Sequence, residues 1–216
     1  MASGNRERGG AGAAEADWPL PDTRWTPFYL HRSGVLAPAR PEQASGFREY
    51  IYDPASPVPT IGGTVTSGQP VMVGGAFDQR EGPRFFGSRE PYRPLAERAD
   101  VLVFESAPLE ADLEVTGPIV VNLWVSSSAP DTDFTAKLID VIRIEAFPTS
   151  NRFARGHRIR LDISSSNFPH FDANPNTGEP EGRSRTRQVA TNRIYLDAGR
   201  PSHVVLPVIP TRPPPS

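Results

Sequence analysis

The sequence predicts an all-β sandwich over residues 61–210, and three features support this prediction. Short runs rich in β-branched and aromatic residues are separated by turn-forming pairs such as Gly62–Gly63 and Gly117–Pro118. The 216 residues include 25 prolines, and proline is excluded from helix interiors. No window longer than a few turns has apolar residues at helical spacing, and Leu95–Arg98 is a candidate for one helical turn. Many short strands with Gly/Pro turns are typical of a two-layer sandwich.

The residues before this sandwich fall into two segments of different composition. Met1–Ala16 is small, polar and rich in Gly and Ala, without the hydrophobic centre of a signal peptide. We therefore expect a disordered leader over residues 1–16. Residues 17–60 mix prolines with aromatics, which favours extended chain, and we interpret them as a strap that crosses a surface. Within the strap, Thr26–His31 and Glu49–Tyr52 are candidate strands.

Runs of β-favouring residues then predict the strands of the sandwich. Outside residues 156–178, the predicted strands are Val71–Val73, Val101–Glu105, Leu113–Thr116, Ile119–Ser126, Phe134–Glu145, Ala190–Leu196 and His203–Val208. In Ile119–Ser126, alternate apolar residues share one face, which predicts a single strand. Trp124 within it has two interpretations, a sugar-stacking platform or a core residue. The core position is favoured, because tryptophan in a sandwich is more commonly buried.

The most informative stretch is Gly156–Gly178. Residues 159–163 alternate between apolar and polar, which predicts a strand with one apolar face. The strand runs into Ser164–Asn167, whose short polar side chains favour turns. The loop that follows carries Phe168 and Phe171 among prolines. Because exposed aromatic area is costly, we expect this loop to be rigid and packed on a neighbour.

Ordered blocks of sequence between Asp17 and Pro207 carry a resemblance to one family. They are Trp18–Pro21, Trp25–Leu30, Tyr52–Pro54, Pro57–Gly63, Phe77–Arg80, Asp100–Phe104, Leu109–Pro118, Ala129–Val141 and Leu161–Gly178. Together they resemble the C-terminal region of the cocaine-esterase and X-Pro dipeptidyl-peptidase-like family of serine hydrolases. So many blocks in the same order are far more specific than any single motif.

The resemblance implies a jelly-roll, galactose-binding-like β-sandwich, which members of this family pair with an α/β-hydrolase domain. It implies that these residues are the non-catalytic portion of an acyl esterase or Xaa-Pro dipeptidyl-peptidase, where the sandwich covers and shapes the active site. The expected partner is therefore an α/β-hydrolase catalytic domain. The alternative is a carbohydrate- or ligand-binding jelly-roll module.

The sequence departs from the family pattern in the middle of the sandwich. Relatives carry a longer stretch between Ile139–Val141 and Ile144–Asn151, which abut here. We therefore expect an internal deletion near residues 141–144. Deleted strands would leave sheet edges bare, which favours self-association. Relatives also commonly have basic residues where His170 and Ala173 stand.

No catalytic residue is predicted within the chain. A hydrolase nucleophile of this fold sits in a G-x-S-x-G turn, and no serine here has that setting. The resemblance places the family's serine, acid and histidine upstream of Trp18. The four histidines, His31, His157, His170 and His203, are accompanied by no oxyanion-hole motif. We therefore expect this polypeptide alone to be inactive as a hydrolase.

No metal or cofactor is expected either. Asp172-x-Asn174-x-Asn176 is similar to the start of a calcium loop, but Thr177 and Arg183 stand where glycine and glutamate are required. We interpret this segment as a ladder of Asn/Asp turns. There is no cysteine, and the net charge of −2 gives no reason to expect nucleic acid. No apolar run is long enough to span a membrane, so we expect a cytoplasmic location.

Aromatic residues of the strap and of the loop are the predicted interface with a catalytic domain. They are Trp18, Trp25, Phe28, Tyr29, Phe168 and Phe171. If left in water, each forfeits roughly 1.5–3 kcal/mol of burial free energy, so several together rival the net stability of a domain.

Overall fold

The computed structural model describes residues 19–63, 67, 71–141, 152–180 and 182–210. The expected leader, most of the expected deletion point and the tail over residues 211–216 lie outside these ranges. The expectations for these segments therefore stay predictions.

Within the described residues the chain forms twelve strands and one turn of 3₁₀ helix at Leu95–Glu97. The strands are β1 (Arg24–Leu30), β2 (Leu36–Ala37), β3 (Phe47–Tyr52), β4 (Leu102–Glu105), β5 (Leu113–Val115), β6 (Val120–Asn122), β7 (Val125–Ser127), β8 (Thr135–Val141), β9 (Arg152–Phe153), β10 (Arg158–Ser164), β11 (Ala190–Tyr195) and β12 (His203–Ile209). The predicted all-β class is confirmed. No helix among these residues is long and apolar enough to cross a membrane.

The strands form three antiparallel sheets. The first has the order β2-β1-β12-β5-β9, and β6 also pairs with β12. The second has the order β4-β10-β8, and the third has the order β3-β11-β7. In the second sheet, all seven residues of β10 lie opposite β8, and four of them also lie opposite β4.

One hydrophobic core is shared by all three sheets. Its strand residues are Phe28, Leu30, Leu36, Val115, Phe153, Val204 and Leu206 from the first sheet, Leu102, Phe104, Ile159, Leu161 and Ile163 from the second, and Tyr50, Tyr52 and Ile194 from the third. The alternation predicted for residues 159–163 is observed, because the three apolar side chains are at most 1% exposed. Burial of each large apolar side chain contributes about 1.5–3 kcal/mol, which holds the sheets face to face.

A second, smaller core covers the outer face of the second sheet. It consists of Val58, Ile61, Phe85, Leu95 and Val101. Val103 of β4 packs against it, because this side chain alternates with Leu102 and Phe104 and so points to the opposite face. β10 is consequently covered on both faces, and even its outward-facing Asp162 is only 4% exposed.

The strap over residues 17–60 stays a prediction, and its described part contributes strands to two sheets. β1 lies beside β12 and β3 lies beside β11, each with six residues in register. Phe28 and Leu30 of β1 are buried in the shared core. Pro27 is tolerated because β2 pairs only with Tyr29 and Leu30, which leaves β1 as an edge strand at the proline.

The single strand predicted over Ile119–Ser126 is two strands in different sheets. β6 pairs with β12 in the first sheet, whereas β7 pairs with β11 in the third. The chain changes sheets at Leu123–Trp124, and Trp124 is 52% exposed. The expectation of a buried Trp124 is therefore wrong, because alternation does not reveal that a strand changes partner halfway. The strand predicted at Val71–Val73 is also wrong, since these residues belong to no strand of the structure.

A buried ion-pair group anchors the second core, and its central cation gives a first prediction. Arg98 donates to Glu81 at 3.0 Å, to Asp100 at 2.8 Å and to the Ser56 carbonyl at 2.8 Å. The side chains of Glu81 and Asp100 are only 6% and 13% exposed. Replacing Arg98 by Met leaves two poorly hydrated carboxylates unpaired, so we expect a loss of about 3–5 kcal/mol in the free energy of unfolding, measured with urea.

The control is Arg193→Met, which removes the pair between Arg193 and Glu49. Both of these side chains are nearly half exposed, so water replaces the lost partner and we expect a much smaller change. Equal losses from the two variants would contradict the importance of burial.

Candidate functional site

The polar end of the shared core lies where β10 finishes. The hydroxyls of Tyr50 and Ser165 are hydrogen-bonded at 2.7 Å, and the side-chain amide of Asn192 donates to the Ser165 hydroxyl at 2.8 Å. Burial raises the pKa of the Tyr50 hydroxyl to about 12, although hydrogen bonds from Ser165 and Asn192 act in the opposite direction. The Tyr50 hydroxyl is therefore neutral near pH 7.

The first half of the loop after β10 is held against residues 58–60. The Phe168 amide donates to the Val58 carbonyl at 2.9 Å, and the Thr60 amide donates to the Phe168 carbonyl at 2.7 Å. The Ser166 hydroxyl accepts the Val58 N–H at 2.8 Å, and the Thr60 hydroxyl donates to the Asn167 carbonyl at 2.9 Å. The loop is thus tied by its backbone to the segment that leads into the second core.

The second half of the loop contains the Asn/Asp turns. The backbone N–H of Asn176 donates to the side-chain oxygen of Asn174 at 2.8 Å, and Asn176 has a positive φ of 63°. The Asn174 side chain donates to Asp131 at 3.1 Å, and the Asn176 side chain donates to the Gln188 carbonyl at 2.7 Å. In the described ranges, no group of three or more His, Asp or Glu side chains could hold a metal ion. The oxygen atoms of this segment act within turns.

A small cavity of about 240 Å³ lies between this loop and the start of β8. Its lining residues are Asp133, Phe134, Thr135, Ser165, Ser166, Phe171 and Asp172. Hydroxyl groups, two carboxylates and two rings therefore border one volume, which has room for water molecules or one short side chain.

The structure divides the predicted interface residues between exposed and buried positions. Trp25 is 47% exposed and Phe171 is 56% exposed, whereas Phe28 is 7% exposed and belongs to the shared core. Tyr29 is partly buried, with its ring centroid 5.1 Å from that of His203. Phe168 is also partly buried, with its ring centroid 5.7 Å from that of Phe86. Trp18 lies outside the described residues.

The exposed members form two separate patches. Trp25 lies on the outer face of the first sheet, whereas Phe171 lies in the loop after β10, edge-on to His170 with centroids 4.4 Å apart. No ring contact joins the aromatics of β1 to those of the loop in the described part of the chain. That these residues form an interface therefore stays a prediction. Phe28 can contribute little to it, because its side chain is buried in the shared core.

A further aromatic surface was missed by sequence reasoning. Phe47 and Ile51 are 42% and 63% exposed on the outer face of β3, and Arg193 lies over the Phe47 ring at 4.8 Å. Beside them, Arg200 lies over the Tyr195 ring at 3.7 Å. The sequence signal was the run Phe47–Tyr52. In a strand it places Phe47 and Ile51 on one face and Tyr50 and Tyr52 on the other, so both faces carry large apolar groups.

The histidines assemble no nucleophilic site in the described residues. His157 Nδ1 lies 3.0 Å from both carboxylate oxygens of Asp140, His31 contacts the Ala39 carbonyl, and no histidine ring there is hydrogen-bonded to a serine hydroxyl. A Ser-His-Asp triad requires that hydrogen bond, and the described histidines do not form it.

The family model described as the X-Pro dipeptidyl-peptidase C-terminal non-catalytic domain matches residues 4–143 and 141–205. The chain belongs to this family. It is thus a C-terminal, non-catalytic β domain of the cocaine-esterase type, as the resemblance implied. This match favours the accessory-domain interpretation over a free-standing ligand-binding module.

Individual relatives agree with the family assignment. The cocaine esterase of Rhodococcus sp. (strain MB1 Bresler) is 38% identical over 242 aligned positions, which include 90% of this chain and 39% of the relative. An aminopeptidase from the marine sediment archaeon Thaumarchaeota archaeon superposes with a TM-score of 0.70 at 25% identity, over 91% of this chain and 38% of that one. An α-amino acid ester hydrolase superposes with a TM-score of 0.63 at 27% identity, over 85% and 36%. The chain therefore spans well under half the length of these relatives.

The polar end of the core gives a second prediction. Replacing Ser165 by Ala removes a hydrogen-bond partner from the buried hydroxyl of Tyr50 and from the amide of Asn192. An unsatisfied buried polar group costs about 1–3 kcal/mol, so we expect the free energy of unfolding to fall by that amount in a thermal or urea titration.

The matched control is Ser126→Ala, because Ser126 makes a 3.2 Å hydrogen bond to the more exposed hydroxyl of Tyr195. Water can replace this partner, so we expect a smaller loss. A loss at Ser165 no larger than that at Ser126 would show that the buried network contributes little.

Proposed function

We propose that this chain acts as an accessory β-sandwich domain that covers and shapes the active site of an α/β-hydrolase catalytic domain. The parent activity in this proposal is hydrolysis of acyl esters or Xaa-Pro peptide bonds. The family match along nearly the whole chain carries the proposal. The similar cocaine esterase and aminopeptidase, each more than twice as long as the part that matches this chain, support it.

A row of apolar side chains on the outer face of the first sheet supplies a docking surface. We define the Trp25 row as Trp25, Pro27, Val120 and Val205. Val205 of β12 lies opposite both Pro27 of β1 and Val120 of β6, and directly opposed residues share one face. Trp25 and Val120 are 47% and 46% exposed. Contiguous apolar surface of this kind marks interaction sites, and tryptophan is a common anchor residue of interfaces.

The docking proposal is tested by replacing one of two tryptophans of similar exposure. Trp25→Ser should weaken binding to a family catalytic domain supplied as a separate chain by about 30-fold, because truncating a central aromatic anchor costs about 2 kcal/mol. Biolayer interferometry on the purified chains measures the dissociation constant.

Trp124→Ser is the matched control, since Trp124 is 52% exposed but lies where the chain enters the third sheet. We expect it to leave binding unchanged. Equal weakening by both variants, or none by Trp25→Ser, would remove the Trp25 row from the interface. Phe171→Ser tests the loop patch in the same assay.

We also propose that the chain self-associates through the free edge of β8. β8 pairs with β10 along all seven residues, and no described strand lies at its other edge. The run Thr135–Val141 contains no proline, and its Ala136 is exposed. The two segments of the family match meet at residues 141–143, directly after β8. The alignment to the Rhodococcus relative has 242 positions, more than the 216 residues here, which supports an internal deletion.

Edge pairing is tested by charging the exposed edge. Ala136→Lys should shift the chain towards monomer in sedimentation velocity, because lysine on an edge strand opposes pairing and two copies would bring their lysines together. We expect Ala107→Lys to have no effect, since Ala107 is also exposed but follows β4. Wild-type chain that is monomeric at all concentrations tested would refute self-association.

A further inference from the structure

Three arginines lie close together in the connection between β10 and β11, and the proposed function uses none of them. Arg183, Arg185 and Arg187 alternate with Ser184 and Thr186, and all three arginines are exposed. We call residues 182–188 the arginine loop. Among the described residues, no hydrogen-bond acceptor or carboxylate pairs with any of these three guanidinium groups. The three side chains are therefore available to a partner.

The backbone of the arginine loop is also largely unpaired. The N–H of Arg183 donates to the Pro180 carbonyl at 3.0 Å, but the N–H groups of residues 184–187 donate to no atom of the described chain. The Ser184 hydroxyl donates to the Thr186 carbonyl at 2.8 Å, which is a contact within the loop itself. A partner that binds an extended peptide uses such free backbone groups. The loop can therefore be bound as a strand without breaking a sheet.

The arginine loop is closed where it joins the rest of the domain. The N–H of Gln188 donates to the Pro175 carbonyl at 2.9 Å, and the side chain of Asn176 donates to the Gln188 carbonyl at 2.7 Å. Asn176 is fully buried, so this closure is anchored in the domain. Exposed loops with small and polar residues are preferred sites of proteolytic cutting.

The other exposed arginines of the described chain are less suited to a protease that cuts after arginine. Arg40 and Arg93 precede proline, which lacks an N–H and has a fixed φ. The remaining ones lie in strands, at Arg24, Arg152 and Arg193, or within turns closed by backbone hydrogen bonds, at Arg32, Arg80, Arg84, Arg89 and Arg155. The arginine loop therefore combines exposure, unpaired backbone and three possible cutting positions.

We propose that the arginine loop is a processing site for an endopeptidase that cuts after arginine. A carboxylate in the specificity pocket of such an enzyme binds one guanidinium group of the loop. Water is added across the peptide bond that follows this arginine. The C–N bond breaks, the arginine keeps a carboxylate, and the next residue gains an amino group. The endopeptidase supplies the nucleophile, and no oxidant or reductant is required.

The fold keeps the two pieces together after the cut. The C-terminal piece carries β11, which pairs with β3 and β7, and β12, which pairs with β1, β5 and β6. Its side chains Ile194, Val204 and Leu206 are fully buried in the shared core. None of these contacts passes through the arginine loop. Cutting therefore gives a two-chain domain with the same core.

The test is limited digestion of the whole folded chain with trypsin, followed by intact-mass spectrometry. The first internal cut should follow Arg183, Arg185 or Arg187. Cuts after Arg6 and Arg8 shorten only the amino-terminal end and are scored separately. In the triple variant Arg183→Gln, Arg185→Gln, Arg187→Gln, internal cutting should be at least about ten-fold slower, because the other arginines become accessible only when the chain opens locally.

Arg32→Gln is the matched control, because it removes an exposed arginine from a closed turn. We expect it to be cut as fast as the wild-type chain. On size exclusion without denaturant, the cut chain should elute as one species, and urea should separate its two pieces. The proposal is overturned by a first internal cut outside the arginine loop, by equal cutting of the triple variant, or by pieces that separate without denaturant. A wild-type chain that resists internal cutting overturns it as well.

Discussion

Burial of β10 on both of its faces is the constraint on which the rest of the structure depends. Ile159, Leu161 and Ile163 fill the core shared by the three sheets, while the opposite face lies under the second core. A strand covered in this way requires partners for every polar group on its outer side. The Arg160–Asp162 pair supplies them within the strand itself, since the guanidinium binds both carboxylate oxygens. The loop after β10 then starts from the end of a buried strand and is held by backbone hydrogen bonds to residues 58–60.

The same burial explains why charged groups gather around the second core. Arg98 holds two carboxylates and a carbonyl, so its charge is compensated. Lys137, one strand away from Asp162, meets a carboxylate that is already occupied. The same covering segment thus holds a paired cation at Arg98 and accepts a hydrogen bond from the amine of Lys137 at the Pro59 carbonyl.

The sequence predicted the fold class and most strands because a period of two is a local property. Residues 159–163 show this most clearly, and residues 190–195 and 203–208 lie in strands as expected. Partner choice is non-local and was therefore not predictable. Trp124 was placed in the core because nothing in its own run shows that the strand leaves one sheet for another. Phe28 and Trp25 were also assigned to one interface, although their spacing of three residues in one strand places them on opposite faces, Phe28 in the core and Trp25 exposed.

The exposed surfaces follow from what the strands leave uncovered. The Trp25 row is apolar on the outer face of the first sheet because β1, β12 and β6 each place an apolar residue there, which a lone sandwich in water does not require. The free edge of β8 lies on the second sheet, beside the point where the family match is divided. The first surface is suited to side-chain packing and the second to backbone pairing, so one partner cannot satisfy both by the same contact. In the proposed arrangement, the catalytic domain and a second copy of the chain therefore use different surfaces.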